Sequence, residues 1–304
     1  MFVHMNMMIG AKKVQKMRKV VQSSVQDYSY DVKDFTSSPE REEIHLKAHD
    51  NQGLPPFLLN SIPKSGTHLL KQLLLGIPGM KHDPNKGMFG HMHYQTEAKL
   101  DAMDNLTNHE FVNGHLYYTS EWETFFNKRN MKQIFVYRDP RDVVVSYAYF
   151  IPTLKIHPLY DTFTQENFTH RDRIKFLIQG GHPTEKKWGY QHDVAEWFKS
   201  FSAWMSKPEV FSVRFEDLTS SDKSRIQAVH RIVKFLWGEN PVPSTRPLIV
   251  WKMIQNINPQ TSPTFRKGKI GGWRNEFDDE LKALFKQKAG QLLVDLDYEK
   301  DENW

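Results

Sequence analysis

Three short stretches of this chain combine cations, hydroxyls and glycines in ways that suit an anionic ligand. The first is Pro63-Lys64-Ser65-Gly66-Thr67-His68, between an apolar run that reads as a strand and one that reads as a helix. A turn of this kind aims several backbone N–H groups and a helix N-terminus at one point. Lys64 adds a charge and Ser65 and Thr67 add hydroxyl donors, so the product is an anion cradle; a tight turn with an exposed lysine is the plainer alternative. The nucleotide-kinase string G-x-x-x-x-G-K-[ST] is absent. The second stretch is Tyr137-Arg138-Asp139-Pro140-Arg141-Asp142, leading to Ser146. A guanidinium fork at a strand end and a hydroxyl two helical turns later could grip a second phosphate. The competing reading is an arginine satisfied by its neighbouring aspartates. The third stretch, Phe265 to Trp273, interleaves Arg266, Lys267 and Lys269 with Gly268, Gly271 and Gly272. There backbone and charge can approach an anion together, unless the segment is only a solvated basic loop.

The elements that must position these residues follow from apolar pattern and turn chemistry. Pro56 to Ile62 reads as a buried strand, and Thr67 to Leu75 as an apolar helix stopped at Gly76. Gln133 to Tyr137 is a second strand. It leads into a helix with Asp139 as N-cap, Pro140 at the first helical position and Asp142 in the first turn, running to Phe150. Further strands are expected at Phe111–Val112 and Val210–Phe215, and helices over His192–Met205 and Ser224–Leu236. Strands alternating with helices predict an α/β fold: a central parallel sheet flanked by helices, with the site at the carboxyl edge of the strands. No internal repeat and no linker rich in Pro, Gly or Ser divides the chain. One domain over residues 51–304 is expected, preceded by an arm at 1–50 that is either loose or carries a short helix near Val14–Val25.

Composition narrows the chemistry. The chain has 304 residues and no cysteine, which excludes a disulfide scaffold, a thiol nucleophile and a Cys-ligated zinc. With 39% apolar and 25% charged residues it is too rich for disorder. A net charge of +5 suits an anionic ligand as well as it suits nucleic acid. No window approaches a membrane span, and the basic amino-terminal segment is not followed by an apolar core of the secretory type, so a cytoplasmic protein is expected.

Taken together and in this order, the three stretches resemble the PAPS-dependent cytosolic sulfotransferases. In that family the 5′-phosphosulfate loop is similar to Pro63–Thr67, the 3′-phosphate contacts are similar to Arg138 and Ser146, and a closing R-K-G-x-x-G-x-W stretch is similar to Arg266–Trp273. Val213-Arg-Phe215-Glu-Asp-Leu218 matches the segment whose aromatic touches adenine, and Trp188-Gly-Tyr-Gln-His192 matches a further family segment. The resemblance covers roughly residues 55–275. It implies a P-loop-like phosphosulfate loop and PAPS as co-substrate, with no metal. The expected acceptor is a small molecule bearing a hydroxyl or amine, with no nucleic-acid or membrane partner; a homodimer stays open. Donor-binding residues are expected to be Lys64, Ser65, Gly66, Thr67, His68, Arg138, Ser146, Phe215, Arg266, Lys267 and Gly268. Two rivals from other classes are a metal-dependent nucleotide kinase and a non-catalytic polyanion-binding protein; the missing G-K-[ST] string and the confinement of unpaired charge to the three loops argue against them.

Sulfuryl transfer needs a group to take the acceptor's proton and one to stabilise the departing bridging oxygen. The resemblance gives the first role to His115, in Val112-Asn113-Gly114-His115-Leu116, and the second to Lys64. Three positions depart from the family's pattern. Asn113 stands where a lysine is frequent, Leu69 where a tryptophan stacks on adenine, and His68 where a hydroxyl is common; protonation of His68 is expected to make donor binding pH-dependent. Phe89, Tyr94, Tyr117, Tyr147 and Phe150 are candidates for an acceptor pocket. His82, His91 and His93 are a loose cluster with no carboxylate at ligating spacing. Tyr149 to Gly181 is expected to form a mobile lid whose His157, His170 and His182 face solvent, while Glu196, Trp197 and Trp204 read as structural.

Overall fold

The computed structural model describes residues 53–304 apart from 186, 188, 239–241, 243–244 and 263–266. The expected arm at 1–50, Trp188 and Arg266 therefore lie outside the described residues. In chain order the elements are β1 (Phe57–Ser61), α1 (Thr67–Leu75), β2 (Lys81–His82), β3 (Met88–Gly90), α2 (Glu97–Asp101), β4 (Glu110–Leu116), α3 (Ser120–Asn127), β5 (Lys132–Tyr137) and α4 (Pro140–Phe150). They continue with α5 (Tyr160–Phe163), α6 (His170–Gln179), α7 (Val194–Ser202), β6 (Val210–Arg214), α8 (Phe215–Thr219), α9 (Asp222–Trp237), α10 (Arg246–Gln255) and α11 (Asp279–Asp295).

The strands form a parallel sheet in the order β2-β4-β1-β5-β6, and β3 pairs with β4 beyond the end of β2. Strand β1 is buried along its whole length, as a central strand covered on both faces must be. Its side chains alternate between two cores. Leu58, with Val112 and Phe135, faces α4, α6, α7 and α11; Phe57 and Leu59, with Ile134 and Val136, face α1, α9 and α10. Register then decides which residues meet. Asn60 pairs with Gly114, Ser61 with Val136, and Tyr137 with Arg214. The loop after β1, His115, Arg138 and Phe215 therefore leave the sheet at one edge.

Several elements differ from the sequence expectation for identifiable reasons. Strand β4 spans Glu110–Leu116 rather than two residues, because Asn113 and His115 interrupt an apolar run that the sheet pairs regardless. Strand β6 stops at Arg214, and Phe215 opens α8. The segment 149–181 is not a detached lid: it carries α5 and α6, and its Ile151, Leu159, Phe163, Ile174 and Ile178 are in the core.

Candidate active site

The loop after β1 is built by two left-handed residues, Lys64 at φ 69° and Gly66 at φ 100°. The Ser65 N–H closes the turn on the Ile62 carbonyl at 3.2 Å. Gly66 occupies the N-cap of α1, so no side chain caps that helix and its first N–H groups face the loop. A Cβ on Gly66 would stand 2.5 Å from Cδ2 of Phe215, so only glycine lets loop and ring approach this closely. The Ser65 hydroxyl is buried without a partner among the described residues, beneath the loop rather than in the wall of the adjoining cavity. Lys64 lies with its ammonium 4.0 Å from the centre of the Phe150 ring.

At the end of β4, Nδ1 of His115 is 2.9 Å from the Ser61 carbonyl oxygen and 2.9 Å from the Ser61 hydroxyl. A carbonyl only accepts, so Nδ1 carries the proton and Nε2 keeps its lone pair. Burial pushes the His115 pKa down, the Ser61 carbonyl opposes this in part, and Lys64 adds to it; the ring is a neutral base. The hydroxyl of Ser61 also meets that of Thr67 at 2.7 Å, linking His115 to the start of α1. Asn60, fully buried, donates to the Leu116 carbonyl and accepts from the Leu116 and Ser61 N–H groups at 2.9 Å. It thereby continues the β1–β4 junction past the last paired residues and holds His115 in place; the polar residue inside an apolar run was its only sequence signal. Asn113 accepts from Nε2 of His82 at 2.6 Å. His68 is lowered to about 4, first by burial and then by Lys71 and Lys64, so it is neutral through the physiological range and the expected tuning of donor binding by its protonation does not fall there.

The other two stretches are tied together by a residue that pattern reading placed only in a helix's first turn. Asp142 accepts from the Gly271 N–H at 2.8 Å, from the Trp273 N–H at 3.0 Å and from Arg138 at 3.2 Å. Arg138 also donates to the Lys269 carbonyl at 2.7 Å and lies over the Phe215 ring at 4.5 Å, while its buried Nε has no partner among the described residues. Arg138 is thus paired in part with a neighbouring aspartate, as the alternative reading had it, and Arg141 more fully so: it pairs with Asp139 at 2.8 Å and Glu299 at 2.6 Å between the rings of Trp273 and Trp304.

These edges enclose one cavity of about 1090 Å³. Lys64, Gly66, Thr67, His68 and Leu69 line it from the first loop, Arg138, Ser146 and Phe215 from the second region, and Lys267 and Gly268 from the third. His115 and the five aromatic candidates Phe89, Tyr94, Tyr117, Tyr147 and Phe150 line it too, with Phe89 and Tyr94 53% and 67% exposed at the mouth. His157 and Trp197, expected at the surface and in the scaffold, also face this cavity. His157 is carried inward because the segment around it packs on the core through Ile151 and Leu159, and Trp197 stacks on Tyr147. His182 is exposed, whereas the partly buried His170 lies against Tyr149. Trp204 is buried and donates to the Leu116 carbonyl at 3.0 Å. His91 and His93 stack on one another, and among the described residues no three His, Asp or Glu side chains gather as metal ligands. No described helix is long and apolar enough to cross a membrane.

Comparisons with known proteins agree with this arrangement. A family model described as a sulfotransferase domain matches residues 54–297. The chain is 23% identical over 288 residues to Sulfotransferase 1E1 of Mus musculus, covering 86% of this chain and 90% of that protein. It is 27% identical over 197 residues to Sulfotransferase 1 family member D1 of Mus musculus, covering 59% and 60%. Among solved structures, mouse sulfotransferase SULT7A1 complexed with PAP is similar in fold, with a TM-score of 0.58 at 18% identity over 82% of this chain and 90% of that one.

Proposed function

The chain belongs to the sulfotransferase family, and from that premise we propose that it moves the sulfuryl group of PAPS to a hydroxyl or amine of a small-molecule acceptor, with His115 as general base. PAPS supplies a sulfuryl group already bonded to a phosphate oxygen, so the protein's task is positioning and charge stabilisation. One observation carries the reading. Three basic stretches far apart in the chain meet at one cavity, beside a buried donor, Nε of Arg138, that has no partner among the described residues. Such orphans are uncommon in a folded core and fit a site that takes an oxyanion.

In this reading Lys64, Gly66, Thr67 and the open end of α1 hold the 5′-phosphosulfate. Arg138, Ser146, Lys267, Gly268 and Arg266 hold the 3′-phosphate, with Arg138 presented by Asp142 and the Lys269 carbonyl. Phe215 packs against the adenine without help from Leu69, with the Arg138 guanidinium 4.5 Å from its ring centre. Nε2 of His115 takes the acceptor's proton, since Nδ1–H is committed to Ser61. The Lys64 ammonium stabilises charge on the bridging oxygen as it departs.

Calorimetric titration with PAP in EDTA, beside ATP with Mg²⁺, tests the donor site. Tight metal-independent binding of PAP with weak ATP is expected. Arg138→Ala should weaken PAP, and weaken a ligand without the 3′-phosphate by less. Preference for ATP with Mg²⁺ would overturn the reading.

A further inference from the structure

At the acceptor end of the cavity, hydrogen-bond roles are assigned by elimination. The Leu159 N–H donates to Nδ1 of His157 at 3.1 Å, so Nδ1 bears the lone pair. Burial lowers His157 to about 4, so the ring is neutral and its single proton sits on Nε2. That proton meets the Tyr147 oxygen 2.7 Å away, which makes the phenol oxygen an acceptor in this contact. The phenol's own proton is left to be donated, and among the described residues no acceptor stands against it.

The neighbouring phenol is placed the same way. Trp197 lies flat on the Tyr147 ring, with centroids 5.3 Å apart and planes 3° from parallel, and its side chain hydrogen-bonds Tyr117. An indole N–H only donates, so the Tyr117 oxygen accepts and its proton is also left for another partner. The described acids along the cavity wall are engaged elsewhere, Asp142 by Gly271 and Trp273 and Glu276 by Tyr149 at 3.1 Å. Two phenol protons with no carboxylate beside them disfavour an ammonium group. A carbonyl oxygen has two lone pairs and no proton of its own to place, and it answers both donors. The rings of Phe150, Trp197 and Phe201 provide flat walls.

We propose that Tyr147, positioned by His157 and flanked by Tyr117, is a specificity-determining donor that selects flat hydroxylated aryl ketones as acceptors. The inference rests on the sulfotransferase reading, which PAP binding tests first and separately. The protein is then saturated with PAP and titrated with 4-hydroxybenzophenone and with 4-benzylphenol, a pair that differs by one carbonyl oxygen, at about pH 6, where both phenols are neutral. The ketone should bind roughly tenfold more tightly, and Tyr147→Phe should shrink that preference to about twofold. His157→Leu should shrink it also, and His157→Gln, which keeps an N–H donor, should restore part of it. Equal binding of the pair by the wild-type chain, failure of both to bind, or an undiminished preference in Tyr147→Phe would overturn the assignment. Absence of PAP binding would instead overturn the donor site and this inference with it.

Discussion

Replacing Gly66 by alanine tests the geometry of the loop after β1 at its tightest point. Gly66 sits at φ 100° and ψ 22°, a left-handed conformation that costs an L-residue about 1–2 kcal/mol. The new methyl would stand 2.5 Å from Cδ2 and 3.2 Å from Cε2 of Phe215, well inside carbon contact distance. Phe215 is 5% exposed and has the Arg138 guanidinium on it, so it cannot retreat without moving a neighbour. Overpacking of this kind adds about 1–3 kcal/mol. The two contributions together give a destabilisation of about 3 kcal/mol. Urea unfolding should show that loss, and PAP calorimetry should show weaker binding, because Phe215 and Arg138 are both displaced. The double variant Gly66→Ala/Phe215→Ala removes the collision and keeps the backbone cost. The two changes should therefore be coupled by about 1–2 kcal/mol rather than additive. Additive costs would refute the collision, and a Gly66→Ala variant within about 0.5 kcal/mol of the parent would refute the conformational argument as well.

Three other outcomes follow from the same contacts. His115→Ala should lower turnover by about 10²–10⁴-fold while leaving PAP affinity within a few-fold, and near-normal turnover would mean that another group is the base. Asp142→Asn replaces a buried carboxylate that holds Gly271, Trp273 and Arg138, so a loss of about 2–3 kcal/mol and faster hydrogen exchange at the Gly271 and Trp273 amides are expected; unchanged exchange would separate Asp142 from the loop. Acid should destabilise the fold in a defined window. His157 and His68 are lowered from about 6.5 to about 4, so between those values the unfolded chain binds protons that the native chain does not. Stability is unaffected by these two groups above about pH 6.5 and falls as pH drops towards about 4, by up to roughly 3 kcal/mol for His157 and by less for the more exposed His68. Melting temperatures across that range should show the slope, and His157→Phe should flatten it; an unchanged slope would mean that His157 titrates normally.

Much of the first two stretches was legible in the sequence, because the determinants are local. A continuous apolar run, a turn of Lys, Ser and Gly, and an apolar helix ending at Gly76 predicted β1, its loop and α1 with nearly their observed bounds. The Asp139 N-cap and Pro140 at the first helical position predicted the start of α4, and both are present. The cavity wall around Tyr147 was less legible. His157 was expected in solvent, Trp197 in the scaffold and the segment 149–181 in a lid, and in each case contact with distant residues decides otherwise. Periodicity reports which face of an element is apolar, not which cavity that element lines.

Residue order therefore determined the parallel α/β fold, the loop after β1 and the identity of the basic stretches, since capping, turn conformation and apolar period act within a few residues. Only the tertiary structure decided that Asp142 would hold a loop more than a hundred residues away, that Ser61 would take Nδ1 of His115, and that His157 would stand against the Tyr147 hydroxyl. Proton positions and buried pairings are set by what lies nearby in space. A chain brings such neighbours together only when its sheet register and its cores are complete.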